Sequence, residues 1–218
     1  MALADAVRRC ESVIGAAWPK QFAALQPGLD DAQLQALRDA VSPYLLLAQV
    51  EELYRWRGGG RASVFDGWYL KPVDRLIEDY RLNTTEYDYP PVWLPVFGGE
   101  KLVNIVTLDL PGEAPSGEEV WAGDTHDVWI WRLFESIEAL LDVVCDAAEA
   151  GVLIEEWDSL VTREGEPLDG HTWTEYRLRR GPDTFRWPDP PEGSNIYFFP
   201  DPSWPRAWLL ASGMTETE

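Results

Sequence analysis

The chain has 218 residues, 45% of them hydrophobic, with 12 Trp, 8 Tyr and 7 Phe, and this aromatic composition excludes intrinsic disorder. It carries 38 acidic and 18 basic residues, so its formal net charge at pH 7 is −20. Nucleic acids and anionic membranes would repel such a protein, and we therefore predict that it binds neither directly.

The N-terminal segment and the lengths of the apolar stretches predict a cytoplasmic protein. Asp5 and two arginines stand where a signal peptide needs an unbroken apolar run. No stretch reaches the roughly 18 apolar residues of a membrane span. Cys10 and Cys145 both fall in helical apolar patterns, so we predict buried free thiols rather than a disulfide or a reactive site.

Helices dominate the first sixty residues. The first covers residues 1–18 and ends before Pro19, since its apolar residues recur at spacings of three and four. A second starts at Asp30 or Asp31, where Gln33 can complete a capping box.

A third helix is predicted after Pro43, which interrupts the second. It runs from Leu45 to Arg57 and stops at the triple glycine of residues 58–60, because consecutive glycines cannot sustain a helix. The glycines follow a helix and not a strand, so they predict a C-cap and turn before a phosphate-binding loop.

After the glycines the apolar period changes from that of a helix to that of strands. The predicted elements are a hairpin around Asp66-Gly67, a helix from Pro72 to Tyr80, a polar connection, strands at 92–97, 101–110, 120–121 and 128–131, and a helix from Ile137 to Ala148 closed by Gly151. In the last third, residues 172–179 alternate like a half-exposed strand, and six prolines from Pro188 to Pro205 predict loops and edge strands.

Groups that could carry catalysis are few. His126 lies within residues 124–127 and could act as a general base or metal ligand beside two aspartates, but an exposed turn is the favoured interpretation. No Cys-x-x-Cys pair, Walker phosphate loop, Gly-x-Ser-x-Gly elbow or His-Glu-x-x-His motif occurs. We predict no catalytic residue, no metal and no cofactor.

Carboxylates and tryptophans leave a carbohydrate-binding module or glycosidase open as a weaker alternative. A glycosidase needs two carboxyl groups about 5 to 10 Å apart, and exposed tryptophans can stack on sugar rings. Adjacent acids such as Glu118-Glu119 are expected by chance in so acidic a chain, and Trp121, Trp129 and Trp131 more often pack in a core. Exposed coplanar tryptophans in a groove would favour this alternative, and buried ones would dismiss it.

The negative charge is concentrated in the middle of the chain. Residues 61–160 carry −15, against −1 for residues 1–60 and −4 for residues 161–218. Such a field favours a basic protein partner, and aromatic anchors would hold the complex. We predict a partner-binding surface on two segments, with the residues Glu86, Asp88, Tyr89, Trp93, Glu118, Glu119, Trp121, Asp124, Asp127, Trp129 and Trp131.

A series of apolar and glycine motifs runs through the same part of the chain. In order these are Leu53-Tyr54 before Gly58-Gly59-Gly60, Trp68-Tyr69-Leu70 before a helix, Trp93 to Gly99, Ile105 to Asp109, Gly117 to Val120, and Phe134-Glu135-Ser136-Ile137 opening a helix. The series resembles the SUKH superfamily, the Smi/Knr-like immunity and cell-wall assembly regulator proteins, over about residues 27–151.

The resemblance implies an α+β fold in which a curved, largely antiparallel sheet is flanked by helices. We predict one domain over residues 1–218, whose core at about 27–151 is the part that the resemblance covers, with helix 1–18 and an irregular extension 152–218 packed on it. The resemblance also implies a non-catalytic immunity protein that neutralises a cognate toxin, here a basic nuclease-type domain. A regulatory scaffold for cell-wall or envelope synthesis is the alternative. Trp93, Asp109 and Gly117 are fold positions by the same resemblance.

Overall fold

The computed structural model describes residues 3–62, 69–86, 89–98, 102–113, 118–124, 130–151, 153–156 and 159–162. These residues form helices and antiparallel strands, which confirms the α+β prediction. The helices are α1 (Leu3–Ala17), α2 (Pro19–Ala23), α3 (Asp31–Val41), α4 (Ala48–Trp56), α5 (Val73–Glu86) and α6 (Ile137–Glu149). The strands are β1 (Leu25–Pro27), β2 (Arg57–Gly60), β3 (Tyr69–Leu70), β4 (Trp93–Gly98), β5 (Leu102–Thr107), β6 (Val120–Asp124), β7 (Ile130–Phe134), β8 (Leu153–Glu156) and β9 (Ser159–Thr162).

The N-terminal helices form where the apolar spacing predicts them. The capping box of α3 is confirmed, since the Asp30 carboxylate accepts from the Gln33 backbone N–H at 2.8 Å and the Gln33 side chain accepts from the Asp30 N–H at 3.1 Å. The first helix ends before Pro19 as predicted, but Pro19 then opens the short helix α2, which the sequence analysis missed.

The helix predicted from Leu45 begins three residues later, at Ala48. Leu45 is extended instead, because its backbone exchanges two hydrogen bonds with Asp109, at 2.9 and 3.0 Å.

The triple glycine is a strand, so the prediction of a C-cap and turn is wrong. Gly60 pairs with Leu25 of β1, and the three glycines are buried. Gly59 has a φ of 96°, and a Cβ there would stand 2.5 Å from the Lys71 carbonyl oxygen. The glycines therefore allow a close backbone approach that any side chain would block.

The main sheet has five strands in the order β3-β4-β5-β6-β7, each antiparallel to its neighbour. The paired runs around Gly98-Gly99 are confirmed as β4 and β5, and the run beginning at Val120 is confirmed as β6. Leu94, Val106, Val120 and Phe134 stand in one row across four strands, and all four are buried. This row lies near one end of the four strands, and on β4 and β5 burial continues beyond it to Val92 and Leu108.

Other predictions need correction or lie outside the described residues. Helix α5 continues through the predicted polar connection to Glu86, and in its last turn Thr84 and Thr85 donate their hydroxyls to carbonyls of the preceding turn. The hairpin β8–β9 was not predicted. The Asp66-Gly67 turn and the strand at 172–179 fall outside the described residues.

Helix α6 forms as predicted, with Ser136 as its N-cap and a positive φ at Gly151 after its end. It packs against α1, and Cys10 and Cys145, one on each helix, are free and buried as predicted. None of the helices in the described ranges combines the length and the apolar character that a bilayer crossing requires.

Tyr80 ties α5 to the segment that leads into β4. Its hydroxyl donates to the Pro91 carbonyl at 2.6 Å, and its ring is 5% exposed. Burial, with a smaller contribution from the nearby Tyr44, raises the pKa of Tyr80 to about 12.

This raised pKa predicts a loss of stability at high pH. Because the folded pKa lies above the unfolded value of about 10, the contribution of Tyr80 is complete below about pH 10 and is lost as pH rises toward 12. We expect the difference in free energy of unfolding between the wild type and Tyr80→Phe to shrink from about pH 9 to about pH 11 in urea titrations. Parallel pH profiles for the two proteins would contradict this assignment.

Candidate interaction surface

The structure describes part of the predicted partner-binding surface. Asp88, Asp127 and Trp129 lie outside the described residues. Asp124 ends β6 and Trp131 lies in β7, where the description covers the backbone alone.

Of the predicted residues with described side chains, the aromatic ones face the interior. Trp93 is 3% exposed and Trp121 is 2% exposed, and both belong to the hydrophobic core. Tyr89 is half-buried and meets the Trp93 ring edge-on, with centroids 5.8 Å apart. The prediction that Trp93 and Trp121 belong to a contact surface is therefore wrong. Both side chains pack in the core, as tryptophans on strands more often do.

This burial also bears on the carbohydrate alternative. Among the tryptophans whose side chains are described, Trp18, Trp93 and Trp121 are buried and Trp56 is half-buried. Trp56 donates its indole N–H to Glu11 and lies beside the Arg57 guanidinium, which is 5.7 Å from its ring centroid. These side chains form no exposed coplanar platform in the described part of the chain.

The predicted acidic residues whose side chains are described lie at or near the surface. Glu86 is exposed at the end of α5, Glu118 is exposed, and Glu119 is half-buried immediately before β6. Because Val120 pairs with Phe134, Glu119 and Glu135 flank the same end of the β6–β7 pair. Asp109 follows β5 at this end.

We call Asp109, Glu118, Glu119 and Glu135 the acidic sheet end. Glu118 and Glu119 come just before β6, Glu135 comes just after β7, and Asp109 comes just after β5. Because these strands are antiparallel neighbours, their register brings all four residues to one end of the sheet. Leu45, whose backbone pairs with Asp109, is 51% exposed at the same place. An apolar side chain thus stands beside a group of carboxylates.

The ion pairs of the described residues neutralise acids elsewhere. Arg38 binds Glu51 and Arg57 binds Glu11, while Lys71, itself buried, binds Asp79 at 2.6 Å. Within the described ranges Glu118 and Glu135 make no ion pair.

Glu119 adds a buried acceptor to the acidic sheet end. Its Oε2 atom is shielded from solvent and has no hydrogen-bond partner among the residues that the structure describes. Removing a carboxylate oxygen from water without a donor costs free energy, so a donor supplied at this position would be stabilising.

The side chain that organises this surface is Gln49, which the sequence analysis missed. It is 7% exposed, its Nε2 donates to the Glu118 carbonyl at 2.7 Å, and its Oε1 accepts from the Ile137 backbone N–H at 3.0 Å. One amide thus joins α4 to the start of β6 and to the first residue of α6. The available signal was a polar residue beside Val50 on a helix face that is otherwise apolar.

No group of three or more metal-ligating side chains occurs within the described ranges. His126 lies outside them. No family model and no curated protein matches the chain.

Gln49 provides a direct test of how the acidic sheet end is built. We expect Gln49→Leu, which keeps the side-chain volume, to lower the free energy of unfolding by about 2 to 4 kcal/mol, because it leaves the Glu118 carbonyl and the Ile137 N–H unpaired. Urea unfolding measures the change. The control is Gln26→Leu at an exposed position of β1, expected to stay within about 0.5 kcal/mol of the wild type. Equal stabilities of the two variants would show that the Gln49 hydrogen bonds contribute little.

Proposed function

We propose that this protein is a cytoplasmic, non-catalytic immunity protein of the SUKH type, which binds and neutralises a basic, nuclease-type toxin domain by covering its surface. The observation that carries the proposal is the acidic sheet end, where Glu118 and Glu135 lack intramolecular counter-charges among the described residues. The α+β fold is compatible with the resemblance in the sequence, which remains a separate argument.

Charge complementarity is the physical basis of the partner assignment. Exposed carboxylates without bound cations present a negative potential, which a chain of net charge −20 reinforces over its whole surface. A basic surface would be drawn to this potential, and its arginines or lysines would supply the donors that these carboxylates lack. A nuclease domain fits because it must itself be basic where it holds a phosphate backbone.

The second element of the proposed contact is Leu45. With half of its surface exposed, it can enter an apolar pocket of the partner while the surrounding carboxylates pair with basic groups. This arrangement replaces the buried tryptophans as the apolar part of the contact. Glu86, exposed at the end of α5 before the segment that leads into β4, extends the acidic contribution.

The proposed function is tested by co-expressing the chain with the toxin encoded in the neighbouring reading frame. Growth rescue, with binding of the purified pair at moderate salt, is the expected result. Recovery of several housekeeping envelope proteins instead would support the scaffold alternative. Failure of a strongly basic neighbouring domain to bind, or toxin resistance in cells that lack this protein, would refute the proposal.

The role of the acidic sheet end is tested by charge reversal. We expect the double variant Glu118→Lys/Glu135→Lys to weaken toxin binding about tenfold at low salt, mainly through slower association, with the difference shrinking as salt rises. Surface plasmon resonance over a salt series measures both rates.

The matched control is Asp39→Lys/Asp74→Lys, which makes the same change of charge at two exposed positions on α3 and α5. It should bind within about twofold of the wild type. Equal weakening by both double variants would assign the effect to net charge and contradict a localised contact.

A further inference from the structure

The two cysteines of the chain, 135 positions apart in the sequence, meet in the interior. Cys10 lies on α1 and Cys145 on α6, and each has no exposed surface. The Cys10 thiol donates to the Leu141 carbonyl at 3.6 Å, one helical turn before Cys145 on the same helix, where α1 and α6 pack together. The only two thiols of the protein are thus neighbours across one helix–helix interface.

The two helices are held in register beside the thiols. Arg9, adjacent to Cys10, donates to Asp142 at 3.2 Å, to Asp146, and to Glu149 at 2.7 Å, all on α6. These pairs limit sliding of α1 along α6, so the thiols stay opposite each other. A cysteine can be buried in a core without a second cysteine opposite it. The placement of both cysteines at facing positions of α1 and α6 is therefore not explained by burial alone.

We infer that Cys10 and Cys145 form a redox-responsive dithiol, which a peroxide oxidant closes into an intramolecular disulfide that fastens α1 to α6. In the reduced state the pair is a small apolar contact of the core, as expected in a cytoplasm that keeps thiols reduced. In the oxidised state the bond would close a loop that spans most of the described chain.

The chemistry needs one equivalent of hydrogen peroxide. One thiol sulfur attacks a peroxide oxygen, which breaks the O–O bond and yields a sulfenic acid and one water. The second thiol sulfur then displaces the hydroxyl from that sulfenic sulfur, forming the S–S bond and releasing a second water. Two thiols are oxidised by two electrons, and the peroxide is reduced to water.

Burial makes this a slow response. The hydrogen bond with Cys145 and the loss of hydration raise the pKa of Cys10, so Cys10 stays protonated at neutral pH. Peroxide reaches the pair only when α1 separates transiently from α6, and the reaction rate then follows that opening. Sustained oxidative exposure, not a brief pulse, would therefore close the bond.

The test uses the full chain, reduced, desalted and incubated with hydrogen peroxide for hours. We expect loss of both free thiols, a decrease in intact mass of two hydrogens, and a linked tryptic pair made of residues 10–20 and 133–163. The melting temperature should rise by up to about 10 °C, because the cross-link restricts the unfolded chain, and dithiothreitol should reverse every change.

Cys10→Ser and Cys145→Ser are the controls, since neither can form the bond and each should retain one thiol without the rise in melting temperature. If either variant fails to fold, reversal of the wild-type changes by dithiothreitol still decides the matter. Retention of two free thiols in the wild type would overturn the inference. Dimers linked between chains, or sulfinic and sulfonic products without a linked peptide pair, would overturn it as well.

Discussion

The buried amide of Gln49 is the interaction on which the acidic sheet end depends. Helix α4, strand β6 and helix α6 meet at this point, and the last two each leave a backbone group that needs a partner. Gln49 satisfies a carbonyl before β6 and an N–H at the start of α6 with one side chain. Its two hydrogen bonds therefore fix where Glu118 stands relative to the helix that follows Glu135.

Strand register places the carboxylates, and the fold tolerates their mutual repulsion. Val120 and Trp121 point to opposite faces of β6 and both are buried, so a shift of one residue in β6 would force a tryptophan into the space of a valine. Glu119 directly precedes the buried row of the main sheet on β6, Glu135 directly follows it on β7, and Asp109 lies just beyond the end of β5. Arg38, Arg57 and the buried Lys71 pair with acids elsewhere in the described chain, whereas Glu118 and Glu135 make no ion pair within the described ranges. A local negative site beside the exposed Leu45 is the physical basis of the proposed toxin contact.

Periodicity predicted those parts of the fold that local sequence controls. The capping box at Asp30 and Gln33, the helix closed by Gly151 and the strands at β4 and β5 follow from spacing and capping alone. The prediction of a turn at residues 58–60 failed because the need for glycine there comes from residues distant in sequence. The backbones of Lys71 and Ala24 pass so close to this strand that a side chain would not fit. Leu45 is extended for a similar reason, since its partner Asp109 lies 64 positions away.

The site was predictable in its charge and not in its geometry. Composition indicated an acidic surface, and Glu118 and Glu119 are part of it. The contribution of Glu135 depends on the pairing of β6 with β7, and that of Gln49 depends on two backbone groups far along the chain; no local pattern encodes either. The prediction put Trp93 and Trp121 at the surface because aromatic residues mark interfaces, but both lie where the neighbouring strand residues are buried as well, so the sheet is covered on both faces there.

The most direct test is hydrogen–deuterium exchange of the chain, alone and mixed with the basic toxin domain that we propose as its partner. If the acidic sheet end binds the partner, we expect exchange in the mixture to slow in peptides that span residues 108–113, 118–121 and 134–138. Exchange in α3 should stay unchanged. Protection confined to α3 or to the α1–α6 pair, with no change in these peptides, would contradict it.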